Sequence, residues 1–227
     1  TNEFRTVTLE VRQGEQVRPF LFYASADGTK ILVDQLYDLS QDPFAGNRAR
    51  IRLVNVPSQG PASALATIVV YSDYTCPFCE RFFHTLEKPT LERYAGRVRY
   101  IYKHFPVRPG ALEAAVAAAC AFRQSNEAFW GLHQRLFQNR PRLAEKGFVV
   151  ELARGLPLDA QKFEGCLERR ESLPDVQRDV AEAKSLGVEG TPTLFINGRP
   201  KVGLPTRERF WEIVGEELAL ANSTDKK

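Results

Sequence analysis

The chain has 227 residues, of which 43% are hydrophobic, and its formal net charge is only +3. This length fits one large domain or a full domain with a small appendage, and the apolar fraction is enough for a sizeable core. So small a net charge gives no reason to expect a nucleic-acid partner. No stretch approaches the roughly 18 apolar residues that are needed to cross a bilayer.

The first residue and the cysteine count bear on where the protein works. The chain starts at Thr1 and contains no methionine, which predicts a processed or trimmed product whose missing leader leaves location open. The four cysteines permit two disulfides and favour an oxidising compartment. We therefore expect an exported, periplasmic or extracytoplasmic protein, and membrane tethering before trimming stays an alternative.

Residues 1–56 predict a β-rich N-terminal extension. Its candidate strands are short apolar or alternating runs, at Phe4–Val11, Phe20–Tyr23, Ile31–Val33, Leu36–Leu39 and Ile51–Val56. Asp27-Gly28 predicts a turn before the third of these strands. Residues 57–64 are rich in Pro, Gly and Ser and predict a linker to a second domain at residues 65–221.

The second domain opens with a βαβ pattern. Strand Leu65–Tyr71, a helix that runs to about Tyr94 and strand Val98–Tyr102 follow one another, which implies parallel pairing of the two strands. A helical insert at about residues 107–186 comes next. Its helices have Pro, Gly, Asp or Asn at their boundaries and are predicted at Ala111–Gln124, Glu127–Gln138, Phe148–Arg154, Asp159–Glu168 and Pro174–Leu186.

A hairpin and a helix close the second domain. Strand Thr193–Ile196 leads into Asn197-Gly198, which strongly favours a hairpin turn, and a partner strand contains Lys201–Gly203. The closing helix is predicted at Arg207–Leu220. We expect the polar tail, residues 222–227, to be disordered.

The tetrapeptide Cys76-Pro77-Phe78-Cys79 lies between the first strand of this domain and a helix. The N–H groups and dipole at a helix N-terminus stabilise an anion, and a thiolate is such an anion. Cysteines in this position can have their pKa lowered from about 8.5 to between roughly 3.5 and 7.5. We therefore expect Cys76 to attack disulfides and Cys79, one helical turn later, to resolve the mixed disulfide.

Two other interpretations of this motif stay open, half of a zinc site and an inert structural disulfide. Structural zinc needs four ligands, but Cys120 and Cys166 are isolated. The three histidines, His84, His104 and His133, have no metal-binding spacing and predict surface or packing roles. We expect no metal and no cofactor.

Gly190-Thr191-Pro192-Thr193 is the second candidate element of the site. Pro192 stands at the start of a predicted strand, where a missing N–H costs a ladder bond in a central strand. A cis bond between Thr191 and Pro192 removes this conflict and turns the Thr191 backbone toward a ligand. An ordinary trans proline that enters an edge strand is the alternative.

The order of these elements resembles the DsbA-like branch of the thioredoxin superfamily. The resemblance covers residues 65–220 and implies an α/β thioredoxin fold with an inserted helical subdomain. It implies that Cys76 forms the mixed disulfide with substrate and that Cys79 is buried and resolves it. It also implies that Thr191 pairs its backbone with the substrate and that Pro192 packs against the disulfide, with Pro77 and Phe78 supporting the site.

Some positions depart from that family. Val70 replaces a buried glutamate that is implicated in proton transfer in many relatives, which leaves Asp73 or water as the relay. Lys103 resembles a basic residue near the site in the family and is a further candidate for the proton relay, with an ordinary surface lysine as the alternative. Phe78 replaces the histidine of the strongly oxidising archetype and cannot donate a hydrogen bond to the Cys76 thiolate. We therefore expect a reduction potential below about −120 mV.

Two further expectations rest on resemblance. Some DsbA relatives link the positions that match Cys120 and Cys166 in a structural disulfide; two buried free thiols are the alternative. Residues 20–39 are similar to the small N-terminal domain of DsbC-type isomerases, which implies a candidate dimerisation domain and a homodimer. A β extension packed on its own thioredoxin domain is the other interpretation.

These observations predict a protein thiol–disulfide oxidoreductase that acts on cysteines of exported proteins, with the oxidase direction favoured. Its redox partner would be a membrane quinone-linked oxidase or a reductase. A dimeric disulfide isomerase or reductase that uses the same site is an alternative. A redox-inactive peptide-binding chaperone module is an alternative from another class.

Overall fold

The computed structural model describes residues 4–13, 16–32, 36–38 and 42–224. The chain divides into two compact units between Gly46 and Asn47. In the described part of the chain, no helix is both long enough and apolar enough to cross a membrane.

The N-terminal unit contains a four-stranded antiparallel sheet. Its strands lie side by side in chain order and are β1 (Phe4–Gln13), β2 (Gln16–Ser25), β3 (Lys30–Leu32) and β4 (Leu36–Asp38). In the predicted turn before β3, Asp27 Oδ1 accepts hydrogen bonds from the Ser25 hydroxyl at 2.5 Å and the Thr29 N–H at 3.0 Å. Val33 and Leu39, which end two predicted strands, lie outside the described residues.

The second unit is built on a five-stranded mixed sheet in the order β5-β7-β6-β8-β9. Its strands are β5 (Ser58–Gln59), β6 (Ala66–Ser72), β7 (Val98–His104), β8 (Thr193–Ile196) and β9 (Arg199–Val202). Among the described strands of this sheet, only β6 and β7 pair in parallel. Central strand β6 is buried on both faces, which explains why its sequence is an apolar run without alternation.

The helices form two layers around the sheet and one inserted subdomain. They are α1 (Ala45–Arg50), α2 (Pro77–Phe82), α3 (Lys88–Arg93), α4 (Ala111–Gln124), α5 (Asn126–Gln138), α6 (Phe148–Ala153), α7 (Ala160–Glu168), α8 (Leu173–Ser185) and α9 (Arg207–Thr224). One sheet face packs against α2 and α9, and the other packs against α8. The insert, mainly α4–α7, has its own core, which reaches Cys76 and Cys79. The predicted thioredoxin fold with a helical insert is confirmed.

The helix that follows Cys76 is continuous but changes its pitch. A π-helical segment, Phe83–Glu87, joins α2 to α3. Pro89 in the next turn has no N–H to donate to the carbonyl four residues before it, so the ordinary α-helical ladder is interrupted there.

Three boundaries differ from the sequence-based expectation. Ile51–Val56 is not a strand; Ile51 and Val56 are buried against the α8 face of the sheet, so their apolar character reflects core packing. This burial explains why the second unit begins at residue 47 rather than after residue 56. Within the predicted linker, β5 pairs with Tyr100 and Ile101 of β7.

The third difference is at the C-terminus. Helix α9 continues to Thr224, so residues 222–224 of the predicted disordered tail are helical. Residues 225–227 lie outside the described part of the chain.

Candidate active site

The two cysteines of the tetrapeptide lie at the junction of β6 and α2. Cys76 is the N-cap residue of α2, with φ −78° and ψ 123°, and Pro77 occupies the first helical turn. A proline fits there because the first N–H groups of a helix have no intrahelical partner. Cys76 and Cys79 are free thiols and are only 3% and 1% exposed.

Asp73 holds the loop that leads to Cys76. Its buried carboxylate accepts hydrogen bonds from the N–H and hydroxyl of Thr75, at 2.7 and 2.8 Å, and from the N–H groups of Val107 and Arg108, both at 3.0 Å. The Asp73 carbonyl accepts a further bond from the Cys76 N–H at 3.1 Å. These bonds position the cysteine loop against the segment after β7. A role of Asp73 as a proton relay stays a prediction.

The surroundings of Cys76 favour its thiolate. The pKa of Cys76 is lowered from 9.0 to about 5, chiefly by a hydrogen bond with the Cys79 side chain. Hydrogen bonds from the Thr191 side chain and from the N–H groups of Cys79 and Phe78 lower it further, against the opposing effect of burial. Cys76 is therefore ionised at neutral pH.

Cys79 has the opposite preference. Burial raises the pKa of Cys79 well above its ordinary value, and the neighbouring Cys76 raises it further, while a hydrogen bond from Ser72 acts in the other direction. Cys79 therefore stays a neutral thiol at neutral pH. The site thus combines an anionic outer sulfur with a protonated inner sulfur.

The Thr191-Pro192 segment faces the cysteines. The peptide bond between the two residues is cis, and β8 begins directly after it. The Thr191 carbonyl oxygen lies 3.4 Å from Cys76 Sγ and accepts a hydrogen bond from it when Cys76 is protonated. The Pro192 carbonyl accepts a bond from the Gly203 N–H at 2.9 Å, which ties this segment to the end of the β9 strand.

Phe78 lies between the two cysteines and points outward. Its side chain is 58% exposed, and its N–H group contributes to the lowered pKa of Cys76. The exposed ring therefore adds apolar surface beside the reactive sulfur, while its backbone stabilises the thiolate.

A family model described as thioredoxin matches residues 54–216. The chain belongs to this thioredoxin family. The match includes both cysteines of the tetrapeptide and the Thr191-Pro192 segment, and it covers most of the second unit.

Two sequence relatives and one solved structure are similar to this chain, and they differ in the share of their own length that the similarity covers. Na(+)/H(+) antiporter NhaA 3 of Salinispora tropica is 35% identical over 144 residues, which are 62% of this chain but only 21% of the antiporter. Disulfide bond formation protein D of Bacillus subtilis is 22% identical over 172 residues, covering 71% of this chain and 77% of that protein. The crystal structure of α-DsbA1 from Wolbachia pipientis has a TM-score of 0.69 and 21% identity, covering 78% of this chain and 98% of the neighbour. The predicted resemblance to DsbA-like proteins is confirmed.

In this thioredoxin-family chain, Lys103 lies away from the cysteines. Side chains alternate along a strand, so Lys103 and its neighbour Tyr71 on β6 share the sheet face that packs on α8. The fully buried Lys103 Nζ lies 3.3 Å from Asp179 Oδ1 and 3.0 Å from Glu182 Oε1. A role of Lys103 in proton transfer to Cys79 stays a prediction.

The remaining pair of cysteines lies in the helical insert. Cys120 of α4 and Cys166 of α7 form a disulfide with a Cα–Cα distance of 5.9 Å, as the resemblance implies. Among the described residues, no group of three or more His, Cys, Asp or Glu side chains is placed to hold a metal ion.

One polar cluster beside the site was not predicted. Both His104 and His133 are buried. His133 Nε2 lies 3.0 Å from Glu87 Oε1, and His133 Nδ1 lies 3.1 Å from the Tyr74 hydroxyl. The Tyr100 hydroxyl donates to Glu87 Oε2 at 2.6 Å.

A sequence signal for this cluster exists in the helix after the tetrapeptide. Glu87 follows Cys79, Phe83 and Leu86 along the face with helical apolar spacing, where a carboxylate needs a buried partner. The sequence shows that Glu87 needs such a partner, but the identity of that partner, His133, depends on the packing of α5.

Proposed function

We propose that this chain is a protein thiol–disulfide oxidoreductase that works through Cys76 and Cys79. The observation that carries the proposal is the placement of the two sulfurs: Cys76 caps α2 opposite the cis Thr191-Pro192 segment, and Cys79 is buried one helical turn later. This placement favours the thiolate of Cys76 and the neutral thiol of Cys79. A thiolate is the nucleophile in disulfide exchange, and a sulfur of low pKa is also the better leaving group. The relative named for disulfide bond formation supports the same activity.

In the oxidase direction, a substrate thiolate attacks Cys76 Sγ of a Cys76–Cys79 disulfide. The substrate–Cys76 bond forms, the Cys76–Cys79 bond breaks, and Cys79 leaves as a thiolate that takes up a proton. A second substrate thiolate then attacks the substrate sulfur of the mixed disulfide and releases Cys76 as a thiolate. Two electrons pass from the substrate to the cysteine pair, and a redox partner, for which we propose a quinone-linked membrane oxidase, removes them.

The residues around the pair supply a docking surface for the substrate chain. The Thr191 carbonyl, which accepts from the Cys76 thiol, would accept from a substrate N–H once that thiol is part of a disulfide. Pro192 packs beside it, and Pro77 holds the start of α2. The exposed Phe78 ring contacts apolar residues that flank the substrate cysteine.

The lowered pKa of Cys76 supports the oxidase direction, because a stabilised thiolate makes the reduced form more stable and the couple more oxidising. A pKa of about 5 lies between about 3.5 for the strongest oxidants and about 7 for thioredoxin. We expect a reduction potential between about −120 and −270 mV, and its upper limit is the one that Phe78 predicts.

The Cys120–Cys166 disulfide supports work in an oxidising, extracytoplasmic compartment, where such bonds persist. Homodimer formation by the N-terminal unit stays a prediction. Measurement of the protein's mass in solution tests whether the homodimer forms.

The test of the activity uses the oxidised protein and a reduced, unfolded secreted protein as substrate. We expect loss of substrate thiols with the wild type and no loss with C76S, measured by thiol titration. When C79S is instead mixed with the disulfide-bonded form of the substrate, Cys76 should attack that disulfide, release a substrate thiolate and stay trapped in a substrate–Cys76 disulfide, detected by mass spectrometry. The control variant C120A/C166A lacks the other sulfurs and should keep the exchange. Full activity of C76S would contradict the proposal, and unchanged substrate binding without any exchange by the wild type would favour a peptide-binding module.

A further inference from the structure

A cavity of about 340 Å³ lies between α4, α8 and the segment that leads into β5. Its volume is within the range of small-molecule sites in proteins. Among the described residues, its wall includes neither cysteine of the tetrapeptide and neither Thr191 nor Pro192. The cavity is therefore a candidate ligand site that is separate from the site of the proposed function.

Asp179 fixes one arginine, Arg52, in the cavity wall. Arg52 Nη2 donates to Asp179 Oδ1 at 3.0 Å, and Lys103 Nζ lies 3.3 Å from the same oxygen. Lys103 Nζ also lies 3.0 Å from Glu182, which accepts from the Arg52 backbone N–H at 2.9 Å. Asp179 Oδ2 accepts from the His104 N–H at 3.1 Å. Within the described residues, only Nη2 of the Arg52 guanidinium has a hydrogen-bond partner.

Asp175 fixes a second arginine of the wall, Arg123. Arg123 Nε donates to Asp175 Oδ2 at 2.9 Å, and Arg123 Nη1 lies 3.9 Å from Glu171 Oε2. Asp175 Oδ1 accepts from Arg178, so this carboxylate serves two guanidinium groups. The Arg123 side chain is 43% exposed, and its Nη2 has no hydrogen-bond partner in the described part of the chain. Both aspartates thus hold arginines in place and leave some arginine N–H groups for another acceptor.

Unmet hydrogen-bonding groups concentrate at this cavity. In the part of the chain that the structure describes, three buried side-chain N or O atoms have no hydrogen-bond partner, and two of them, Arg52 Nε and His104 Nδ1, belong to residues of the wall. His104 is only 3% exposed, and burial lowers its pKa to about 4, so its ring is neutral at neutral pH. Buried polar groups without partners are rare because each costs free energy. A ligand with acceptor oxygens matches these residues.

The rest of the wall is mainly apolar. It includes Val56, Pro57, Ala119 and Phe122. These side chains favour a ligand that also has a compact apolar body, because burial of such a body adds to the binding free energy. A small hydrated inorganic anion has no surface that uses them.

We propose that this cavity binds a small carboxylate with a compact apolar body. The apolar body packs on Val56, Ala119 and Phe122, and the carboxylate accepts from N–H groups of Arg52 and Arg123. The planar guanidinium suits this role because its N–H groups match the two oxygens of a carboxylate. No covalent bond forms or breaks.

The test uses the full chain and two probes of the same shape, 3-phenylpropanoate and its neutral amide, 3-phenylpropanamide. We expect 3-phenylpropanoate to shift the backbone NMR signals of Val56, Ala119 and Phe122 saturably. The amide should bind about tenfold more weakly, because hydrogen bonds to a charged acceptor are stronger. An equal Kd for the two probes would overturn the proposal, and so would the lack of a saturable shift up to the solubility limit of 3-phenylpropanoate.

Three variants separate ligand binding from a merely structural role of the ion pairs. R123Q should raise the Kd of 3-phenylpropanoate about tenfold, because a charged donor is lost. D175N breaks the same ion pair but keeps the guanidinium, so it should bind at least as tightly as wild type. The matched control R199Q removes an arginine that pairs with Glu216 at 2.7 Å, outside the cavity wall, and should leave the Kd unchanged. Weaker binding by both R123Q and D175N would mean that the ion pair only shapes the wall, and the proposal would be wrong.

Discussion

Two sets of buried ionisable groups occupy opposite faces of the same two strands, β6 and β7. The hydroxyl face carries Ser72 and Tyr102, whose side chains end in neutral hydroxyls. The ion-pair face carries Tyr71 and Lys103, which pair with Asp179 and Glu182 of α8.

The difference lies in how each set meets its hydrogen-bonding needs. On the ion-pair face, Asp179 also accepts from the Arg52 guanidinium at 3.0 Å and from the His104 N–H at 3.1 Å, so both of its carboxylate oxygens have donors. On the hydroxyl face, the Tyr102 hydroxyl is buried and has no hydrogen-bond partner in the described part of the chain. Removal of one member of a buried ion pair leaves an uncompensated charge, whereas removal of a hydroxyl that has no partner leaves none. Substitutions on the two faces should therefore differ in how much unfolding free energy they cost.

The largest expected effect breaks the ion-pair face. K103M removes the ammonium and leaves Asp179 and Glu182 without their buried cation, which we expect to cost about 3–5 kcal/mol of unfolding free energy. Denaturant unfolding measures it. The control K88M removes an 81% exposed lysine that lies 3.8 Å from Glu92, and it should cost less than about 0.5 kcal/mol. A slowed Cys79 resolution step in K103M would instead favour the relay role first expected for Lys103.

The next effect concerns the thiolate of Cys76. Its pKa is lowered to about 5, so its alkylation rate should stay level at neutral pH and fall about tenfold for each pH unit below 5, because only the thiolate reacts. Iodoacetamide labelling of the reduced protein, followed by mass spectrometry, measures the midpoint. C79A should raise the midpoint, since the Cys79 hydrogen bond is the largest cause of the shift. A wild-type midpoint near 8.5 would contradict the described electrostatics.

The smallest effect compares one hydroxyl on each face. The Tyr71 hydroxyl donates to Glu182 Oε1 at 2.6 Å, and the loss of a bond to a charged group in Y71F should cost about 1.5 kcal/mol. Y102F loses no such bond, so its unfolding free energy should stay within about 0.5 kcal/mol of wild type. Thermal or urea unfolding of both variants measures the difference, and a larger loss in Y102F would mean that its hydroxyl holds the fold.

Local patterns predicted the parts of the molecule that depend on neighbours in sequence. The predicted helix Ala111–Gln124 has the bounds observed for α4, because its boundaries follow from residues within a few positions. The segment Ile51–Val56 was wrongly predicted as a strand, because a short apolar run has the same sequence pattern whether it pairs in a sheet or packs under a helix. Strand β5, Ser58–Gln59, has only 2 residues, which is too few for a sequence periodicity to predict it.

The sequence by itself determined the position of the tetrapeptide Cys76–Cys79, the thioredoxin order of strands and helices, and the Thr191-Pro192 segment, because each is encoded in adjacent residues. Only the tertiary structure decided what the side chains of Lys103 and Tyr102 contact on their two opposite faces of the sheet. It also decided that Glu87, His133 and Tyr74, which come from three separate elements, lie within hydrogen-bond reach of one another. The physical reason is that burial and pairing of polar groups depend on contacts distant in the chain, and no spacing within one helix or strand records them.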